Sequence, residues 1–201
     1  MPKRAVATET FWIQGCRVEY YRSFLSKSKS QVFFELLLEE TPWIQSEVRI
    51  FGKTYPIPRM NAWYGEKSYR YSGTVMEACP FTESIQQLAE RLETVTGDTY
   101  NAVLLNLYRD GRDTMGWHSD DEPELDASSS IASISLGGSR RFLLRSKGAK
   151  QESGTEKLEF HLDDGDLLVM YSPTQEYTQH SIPRSQKWMD PRLNLTFRKL
   201  L

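Results

Sequence analysis

After Gly97 the chain becomes a succession of short apolar stretches separated by tight turns, and this pattern restricts the possible folds more than any other feature. Turn signals such as Asp110-Gly111 and Asp164-Gly165 lie between these stretches. The predicted strands cover residues 101–108, 131–136, 141–145, 157–162, 167–171 and 192–198. Strands at this density are typical of a sandwich or jelly roll. The expected fold class is therefore α+β, mainly β.

Two helices are predicted ahead of this β-rich part. Ser28 and Gln31 have the spacing of a capping box, and apolar residues follow at helical intervals until Thr41, where the next residue is proline. A second helix is expected from about Pro80 to Gly97, with one apolar stripe. Residues 48–72 add hairpins between the helices. The sequence thus predicts N-terminal helices and hairpins packed on a C-terminal jelly roll (double-stranded β-helix).

Composition narrows the class of protein. Of the 201 residues, 39% are hydrophobic and 26% are charged, which excludes a disordered chain, a collagen-like fibre and a coiled coil. No apolar run reaches the roughly 18 residues that a membrane span needs, and the N-terminus lacks the apolar region of a secretory signal. Cys16 and Cys79 are isolated, which argues against a disulfide scaffold or a structural zinc site. We expect a reducing compartment, cytoplasmic in a bacterium or nuclear in a eukaryote.

Charge is nearly balanced overall but unevenly distributed. The net charge is −2 and the isoelectric point is about 6.0, whereas nucleic-acid-binding domains are usually strongly basic. Basic residues nevertheless cluster within 49–70 and 140–150, and acidic residues gather at 120–126. Two interpretations remain open at this point: a local phosphate-binding face or an ordinary solvated surface.

His118 and Asp120 stand two positions apart, so in an extended chain both side chains point to one face. Alone this pair is a weak signal, because it recurs by chance in many proteins. His180 follows the predicted strand 167–171 and supplies a third ligand. Two histidines and one carboxylate form the facial triad of non-haem Fe(II) oxygenases, with three coordination positions left open. The remaining histidine, His161, lies between apolar residues and is interpreted as structural.

The stretch 192–198 alternates polar and apolar residues without a break. Its polar face consists of Arg192, Asn194, Thr196 and Arg198. Such a face is solvent-exposed in an ordinary half-buried strand. Two arginines beside an amide and a hydroxyl also form a row of donors suited to a carboxylate. Asn106 and Tyr108 form a second polar row, and donors from the two strands could hold a small dicarboxylate beside a metal.

Taken in order, these motifs resemble the AlkB family of Fe(II)/2-oxoglutarate-dependent dioxygenases. The resemblance rests on Asn106-x-Tyr108, His118-x-Asp120, His180 and the row 192–198, together with Arg109-Asp110-Gly111 and Ser133-Ile134-Ser135-Leu136-Gly137. It extends over about residues 48–201 and is greatest to the duplex-DNA-repair branch of the family, the homologue two type. It implies a jelly roll that binds Fe(II) through His118, Asp120 and His180 and that uses 2-oxoglutarate and O2.

The resemblance also implies roles for the polar rows. It assigns 2-oxoglutarate binding to Asn106, Tyr108, Arg192, Asn194, Thr196 and Arg198. In the family, the arginine at the position of Arg192 faces the far carboxylate of the co-substrate, and the arginine at Arg198 lies nearer the iron. Arg198 therefore joins His118, Asp120 and His180 in the predicted catalytic set.

A substrate-binding hairpin is implied by the same resemblance. Phe51, Gly52 and Lys53 would form a finger that enters the base stack and fills the vacated space. Arg59 matches a family arginine near that finger. Without the resemblance, Phe51 as a core residue is an equally good interpretation.

Two further groups are implied to contact the target base. Tyr69 and Tyr71, which flank Arg70, would stack on a base flipped out of the duplex; an ordinary antiparallel pair of strands is the alternative. Asp121 and Glu122 follow the metal aspartate and would contact the alkylated ring, whose positive charge suits a carboxylate.

The implied activity is oxidative demethylation of 1-methyladenine and 3-methylcytosine in DNA, with release of formaldehyde. The expected partner is alkylated DNA in duplex form. The protein is expected to act as a monomer and to have no membrane partner. Three alternatives remain: the same chemistry on single-stranded DNA, RNA or another substrate, a non-catalytic jelly-roll binding module, and a metal-dependent hydrolase. The domain interpretation assigns 1–47 to an N-terminal extension and helix, 48–100 to recognition hairpins and a support helix, and 101–201 to the catalytic core, with 48–201 as one structural domain.

Overall fold

The computed structural model describes residues 8–50, 52–71, 74–148 and 156–201. Its strands are β1 (Glu9–Ile13), β2 (Cys16–Tyr21), β3 (Glu47–Ile50), β4 (Lys53–Pro56), β5 (Met60–Gly65), β6 (Tyr69–Tyr71), β7 (Thr74–Met76), β8 (Ala102–Tyr108), β9 (Met115–His118), β10 (Ile131–Gly137), β11 (Arg140–Ser146), β12 (Lys157–Leu162), β13 (Leu167–Met170), β14 (Thr178–Ile182) and β15 (Arg192–Arg198). Its helices are α1 (Lys27–Glu40), α2 (Glu83–Thr96) and α3 (Thr174–Tyr177). None of the described helices has the length and apolarity needed to cross a membrane.

Two antiparallel sheets face each other at the centre of the molecule. The major sheet has the strand order β1-β2-β13-β10-β15-β8-β5, and the minor sheet has the order β12-β11-β14-β9. Side chains of both sheets meet in one apolar cluster, which includes Tyr108 and Met170 from the major sheet and Phe142, Leu144 and Ile182 from the minor sheet. This arrangement confirms the predicted mainly β jelly roll.

The long helices cover the other face of the major sheet. α2 buries Ile85 and Leu88 completely, in the same cluster as Leu193 and Phe197 of β15. It ends as predicted at Gly97, whose φ of 81° is the left-handed conformation that glycine adopts at helix C-termini. The apolar face of β15 therefore packs against the helices. The polar face of β15 points toward the minor sheet.

α1 begins earlier than the sequence predicted. Its N-cap is Ser26, which makes no side-chain capping hydrogen bond, so the capping box at Ser28 is wrong. The physical reason is that Gln31 donates to Glu35 one turn further along the helix, rather than back to the N-terminus. Ser30 is fully buried and donates to the carboxylate of Asp164, which ties α1 to the turn before β13.

The segment before residue 48 contributes to the major sheet. β1 and β2 form a hairpin, and β2 pairs with β13 so that Tyr20 lies opposite Leu168. Tyr20 reaches the core between the sheets and donates to the carboxylate of Asp166. β1 and β2 therefore belong to the same sheet as strands that follow residue 101. The hairpin escaped prediction because charged residues such as Glu9 and Arg17 interrupt its apolar pattern.

Candidate active site

β15 is buried on both of its faces. Leu193, Leu195 and Phe197 are fully buried on the side of the helices. The four residues of the polar face are also buried, none more than 8% exposed, because the minor sheet covers them. The ordinary interpretation of this face as solvent-exposed is therefore wrong, and its donors lie in the interior.

The two polar rows lie directly beside each other. β15 pairs with β8 so that Arg192 is opposite Tyr108 and Asn194 is opposite Asn106. Residues opposite each other in an antiparallel pair project from the same face of the sheet. The register thus brings together the donors that the sequence predicted to share a cavity.

β10 supplies hydroxyl groups that hold this row. Arg192 Nη2 donates to Ser135 Oγ at 2.9 Å, and Asn194 Nδ2 donates to Ser133 Oγ at 2.7 Å. Thr196 Oγ1 donates to Asn194 Oδ1 at 3.2 Å. These hydrogen bonds fix the side chains of the row, so it is organised without a ligand.

Arg192 has the properties of an anion-binding residue. It is 1% exposed, and burial lowers its pKa to about 10. Its Nε and Nη1 have no hydrogen-bond partner among the described residues, and its guanidinium carbon lies 5.5 Å from the centre of the Tyr108 ring. A buried cation with unmet donors is unfavourable until an anion pairs with it. The planar fork suits a carboxylate in particular.

β9 and β14 bring the three predicted metal ligands together. The two strands pair with His118 opposite His180, and the ring centres are 4.1 Å apart. Asp120 lies just beyond β9; its Oδ1 is 3.7 Å from His118 Nε2, and its Oδ2 is 3.9 Å from His180 Nε2. Each residue offers one ligand atom, and these atoms lie within 4.8 Å of one another. This donor set is the one that non-haem Fe(II) sites use.

Local contacts determine which nitrogen of His118 donates a hydrogen bond and whether His180 is protonated. His118 Nδ1 lies 2.9 Å from the carbonyl oxygen of Gly116. Because a carbonyl oxygen only accepts, Nδ1 is the donor of this hydrogen bond, which leaves Nε2 as the ligand atom. Burial and the nearby His118 lower the pKa of His180 to about 3, so this ring is neutral at pH 7. Neutral imidazole is the form that binds metals.

The carboxylate ligand is ionised in spite of its burial. Burial acts to raise the pKa of Asp120, but the charge and hydrogen bond of Arg198, together with the two histidines, outweigh it and hold this pKa well below its usual range. Arg198 Nη2 lies 2.9 Å from Asp120 Oδ1, and both side chains are at most 3% exposed. Arg198 is therefore at the metal end of β15, and Arg192 is at the opposite end of the strand.

The three ligands and most of the polar row line one cavity between the sheets. Its wall includes His118, Asp120, His180, Asn106, Tyr108, Asn194, Thr196 and Arg198. Two imidazoles and an ionised carboxylate fit Fe(II), and the buried donors of Arg192 next to this cavity fit the far carboxylate of 2-oxoglutarate.

The neutral state of His180 predicts a pH dependence of stability. Its pKa is about 3 in the folded protein and about 6.5 in an unfolded chain, so the unfolded chain binds more protons between these values. Stability therefore rises with pH through this window and falls as the pH drops below about 6.5. We expect the melting temperature of the metal-free protein to fall between about pH 7 and about pH 5. The decrease should be smaller in His180→Gln, and equal decreases in the two proteins would contradict this assignment.

The predicted finger coincides with the β3–β4 hairpin. Phe51 lies outside the described residues. Gly52 occupies the turn with a φ of 78°, and Lys53 begins β4 and is exposed. The predicted stacking residues Tyr69, Arg70 and Tyr71 form β6, which pairs with β7. Their side chains are outside the described part of the structure, so their contacts stay predictions.

Asp121 and Glu122 line a second, more open cavity beside the metal ligands. The residues that line both cavities are Asp120, Met170 and Arg198. Asp121 Oδ2 lies 2.8 Å from Lys147 Nζ. Glu122 Oε2 is buried and has no hydrogen-bond partner in the described part of the chain. Glu122 therefore places a carboxylate in the wall of this cavity, beside the metal ligands.

Arg59 is turned into the protein and is 4% exposed. Its Nε donates to Asn106 Oδ1 at 2.9 Å, and its Nη1 donates to the carbonyl oxygen of Thr114 at 3.1 Å. This placement supports the polar row of β8. The predicted contact of Arg59 with the substrate stays a prediction.

Some residues around the site were not singled out by the sequence as functional. Ser133 and Ser135 were noticed only as part of a motif, although their alternation with apolar residues was a usable signal. Arg140 is buried and donates to three backbone carbonyls, so the basic cluster 140–150 is not a continuous surface. His161 lies on the surface, 3.3 Å from Glu159, and is not one of the metal ligands.

Comparisons with known proteins agree with this geometry. Residues 17–198 match the family model described as the 2OG-Fe(II) oxygenase superfamily. The chain is 40% identical over 187 residues to alpha-ketoglutarate-dependent dioxygenase alkB homolog 3 from Homo sapiens. This alignment covers 90% of this chain and 65% of that relative. It is 37% identical over 189 residues to DNA oxidative demethylase ALKBH2 from Bos taurus, with coverages of 90% and 68%. The chain therefore spans about two thirds of the length of these relatives.

A solved structure of OsALKBH1 also matches this chain. The TM-score is 0.60, and the match covers 90% of this chain and 97% of the other. The sequence identity is 18%, so this similarity supports the fold alone.

Proposed function

Because this chain belongs to the 2OG-Fe(II) oxygenase superfamily, we propose that it is an oxidative demethylase of N-alkylated DNA bases that uses Fe(II), 2-oxoglutarate and O2. The observation that carries the proposal is the register of β8, β15, β9 and β14, which places a metal triad and a carboxylate-binding row around one cavity. The names of the relatives, dioxygenase and DNA oxidative demethylase, supply the substrate class.

The metal triad and Arg192 have different proposed roles. His118, Asp120 and His180 would hold Fe(II), which together with 2-oxoglutarate and O2 supplies the oxidising power for hydroxylation of an N-methyl group. The overall reaction would convert 2-oxoglutarate and O2 into succinate and CO2 and the N-methyl group into formaldehyde, with the positive charge of the alkylated base released as a proton. Arg192 would pair with the far carboxylate of 2-oxoglutarate through its unpartnered donors.

The protein keeps the carboxylate ligand ionised and fixes the plane of one imidazole. Asp120 and Arg198 are both buried and form an ion pair, so the carboxylate stays ionised when the site is empty of substrate. Phe142 stacks on the His180 ring with centres 5.3 Å apart, which fixes the plane of this ligand.

The open cavity supports recognition of a cationic base. 1-Methyladenine and 3-methylcytosine carry positive charge, and Glu122 lines a cavity that adjoins the metal ligands. A carboxylate in such a place would favour the charged alkylated ring over the neutral repaired base. Asp121 lies beside it but is already paired with Lys147.

A direct test uses oligonucleotides that contain 1-methyladenine or 3-methylcytosine, as duplex DNA, single-stranded DNA and RNA. We expect loss of the methyl group by mass spectrometry and equal amounts of succinate and formaldehyde, only when Fe(II) and 2-oxoglutarate are present. Demethylation of RNA alone would replace the DNA proposal, and turnover without O2 would indicate a hydrolase. Absence of succinate under every condition would indicate a non-catalytic module, which the intact triad and polar row disfavour.

Duplex DNA is the finer proposal for the substrate. It rests on the apolar residue Phe51 beside a glycine turn in the β3–β4 hairpin, because an apolar wedge can unstack a duplex to release a base. We expect Phe51→Ala to reduce demethylation of duplex DNA at least about tenfold while single-stranded DNA loses much less, since unstacking costs a few kcal/mol only in a duplex. Equal losses on both substrates would show that Phe51 only packs within the protein.

A further inference from the structure

The three metal ligands are not held in the same way. His118 and His180 lie in β9 and β14 and are opposite each other in the ladder, so the sheet fixes their backbones. Asp120 lies two residues beyond the end of β9, outside the ladder. Its position must therefore depend on other contacts.

Two hydrogen bonds connect the Asp120 segment to the segment that carries His180. Ser119 Oγ donates to the carbonyl oxygen of Thr178 at 2.7 Å. The backbone amide of Asp120 donates to Oε1 of Gln175 at 2.9 Å. Gln175 lies in α3, one short turn before β14 begins.

Gln175 is itself held in place. Its Nε2 donates to the sulfur of Met170 at 3.4 Å, which leaves Oε1 oriented toward Asp120. α3 is anchored by Thr174 and Thr178, both fully buried, and Thr178 Oγ1 donates to the carbonyl oxygen of Thr174 at 2.7 Å. The acceptor therefore sits on a rigid element, and both ends of its amide are used.

We infer that Gln175 is a positioning residue for the metal site: its Oε1 holds the backbone of Asp120 so that the carboxylate meets the two imidazoles. Gln175 would act through Asp120 and would not touch the metal. The inference rests on the proposed function only in assigning Fe(II) to this triad. Partners of this kind typically change metal affinity by about 10- to 100-fold when they are removed.

The test measures binding of Co²⁺ to the metal-free protein, by equilibrium dialysis and by the visible absorption of bound Co²⁺. Gln175→Leu removes the acceptor at similar volume, and we expect its Kd to rise about 10- to 100-fold. Gln175→Glu keeps an acceptor at the same reach, so its Kd should stay within about threefold of wild type. Glu176→Gln, a change at the neighbouring residue of α3, is the matched control: it leaves the Asp120 contact intact and should bind Co²⁺ like wild type.

The outcomes separate this inference from the proposed function. Wild-type affinity in Gln175→Leu would overturn the inference, as would weak binding by Gln175→Glu, because an added negative charge cannot itself repel a cation. Failure of the wild-type protein to bind Co²⁺ would instead overturn the metal site. If Gln175→Leu does not fold, Gln175→Met, which also lacks the acceptor oxygen, takes its place: we expect the same rise in Kd, and wild-type affinity in this variant would overturn the inference. Hydrogen exchange of the Asp120 amide, slow in wild type and fast in Gln175→Leu, gives a readout without metal.

Discussion

Asp120→Ala should abolish succinate formation and also destabilise the metal-free protein, whereas His118→Ala should abolish succinate formation at little cost in stability. Both residues belong to the triad, and loss of a ligand should exceed the roughly 10- to 100-fold effects of residues around a metal. The two variants differ in what they leave behind. Asp120 is the buried counter-charge of Arg198, while the His118 side chain is 25% exposed.

The expected difference in stability follows from burial. Removing one partner of a buried ion pair costs about 3–5 kcal/mol, because the other charge stays desolvated. Truncation of the partly exposed His118 should cost about 1 kcal/mol. Urea unfolding of the metal-free variants measures both values, and succinate formation is followed in parallel.

A double variant provides the control for this argument. Asp120→Ala combined with Arg198→Met removes both charges and should recover much of the lost stability without any activity, because replacing both partners of a buried pair is often neutral. Retained turnover in Asp120→Ala would show that the triad is misassigned. Equal stability of Asp120→Ala and wild type would show that the ion pair contributes little to folding.

Local patterns in the sequence predicted much of the core and the order of its polar rows. The period of two in 192–198 was sufficient to place Arg192, Asn194, Thr196 and Arg198 on one face, and the structure agrees. Whether that face meets water or the interior depends on the minor sheet, which covers it with strands distant in the sequence. The composition of β15 alone therefore left both interpretations open.

Contacts between distant residues account for what the sequence did not predict. Ser30 is 134 positions from Asp164, and Arg59 is 47 positions from Asn106. In each case a polar side chain that looks ordinary in its own helix or loop finds its partner only after the sheets assemble. Gln175 is of the same kind, since its role depends on a backbone amide 55 residues upstream.

Arg192→Met should raise the KM for 2-oxoglutarate by at least about thirtyfold, since truncating one partner of a buried charge pair costs about 2–5 kcal/mol. The value of kcat at saturating 2-oxoglutarate should change much less, because Arg192 is at the end of β15 away from the metal ligands. Arg192→Lys keeps the charge but loses the planar fork, so its KM should lie between those of wild type and Arg192→Met. Initial rates of succinate formation against 2-oxoglutarate concentration provide these values.

The same variant should be more stable than wild type in the absence of ligand. Arg192 is a fully enclosed cation with two nitrogens that lack hydrogen-bond partners among the described residues, and its lowered pKa shows that burial opposes its charge. An apolar side chain of similar volume avoids that desolvation, at the smaller cost of one hydrogen bond to Ser135. A higher melting temperature together with a higher KM would identify a residue retained for binding at the expense of stability. A lower melting temperature would instead show that Arg192 mainly supports the fold, and the anion-binding assignment would then lose its physical basis.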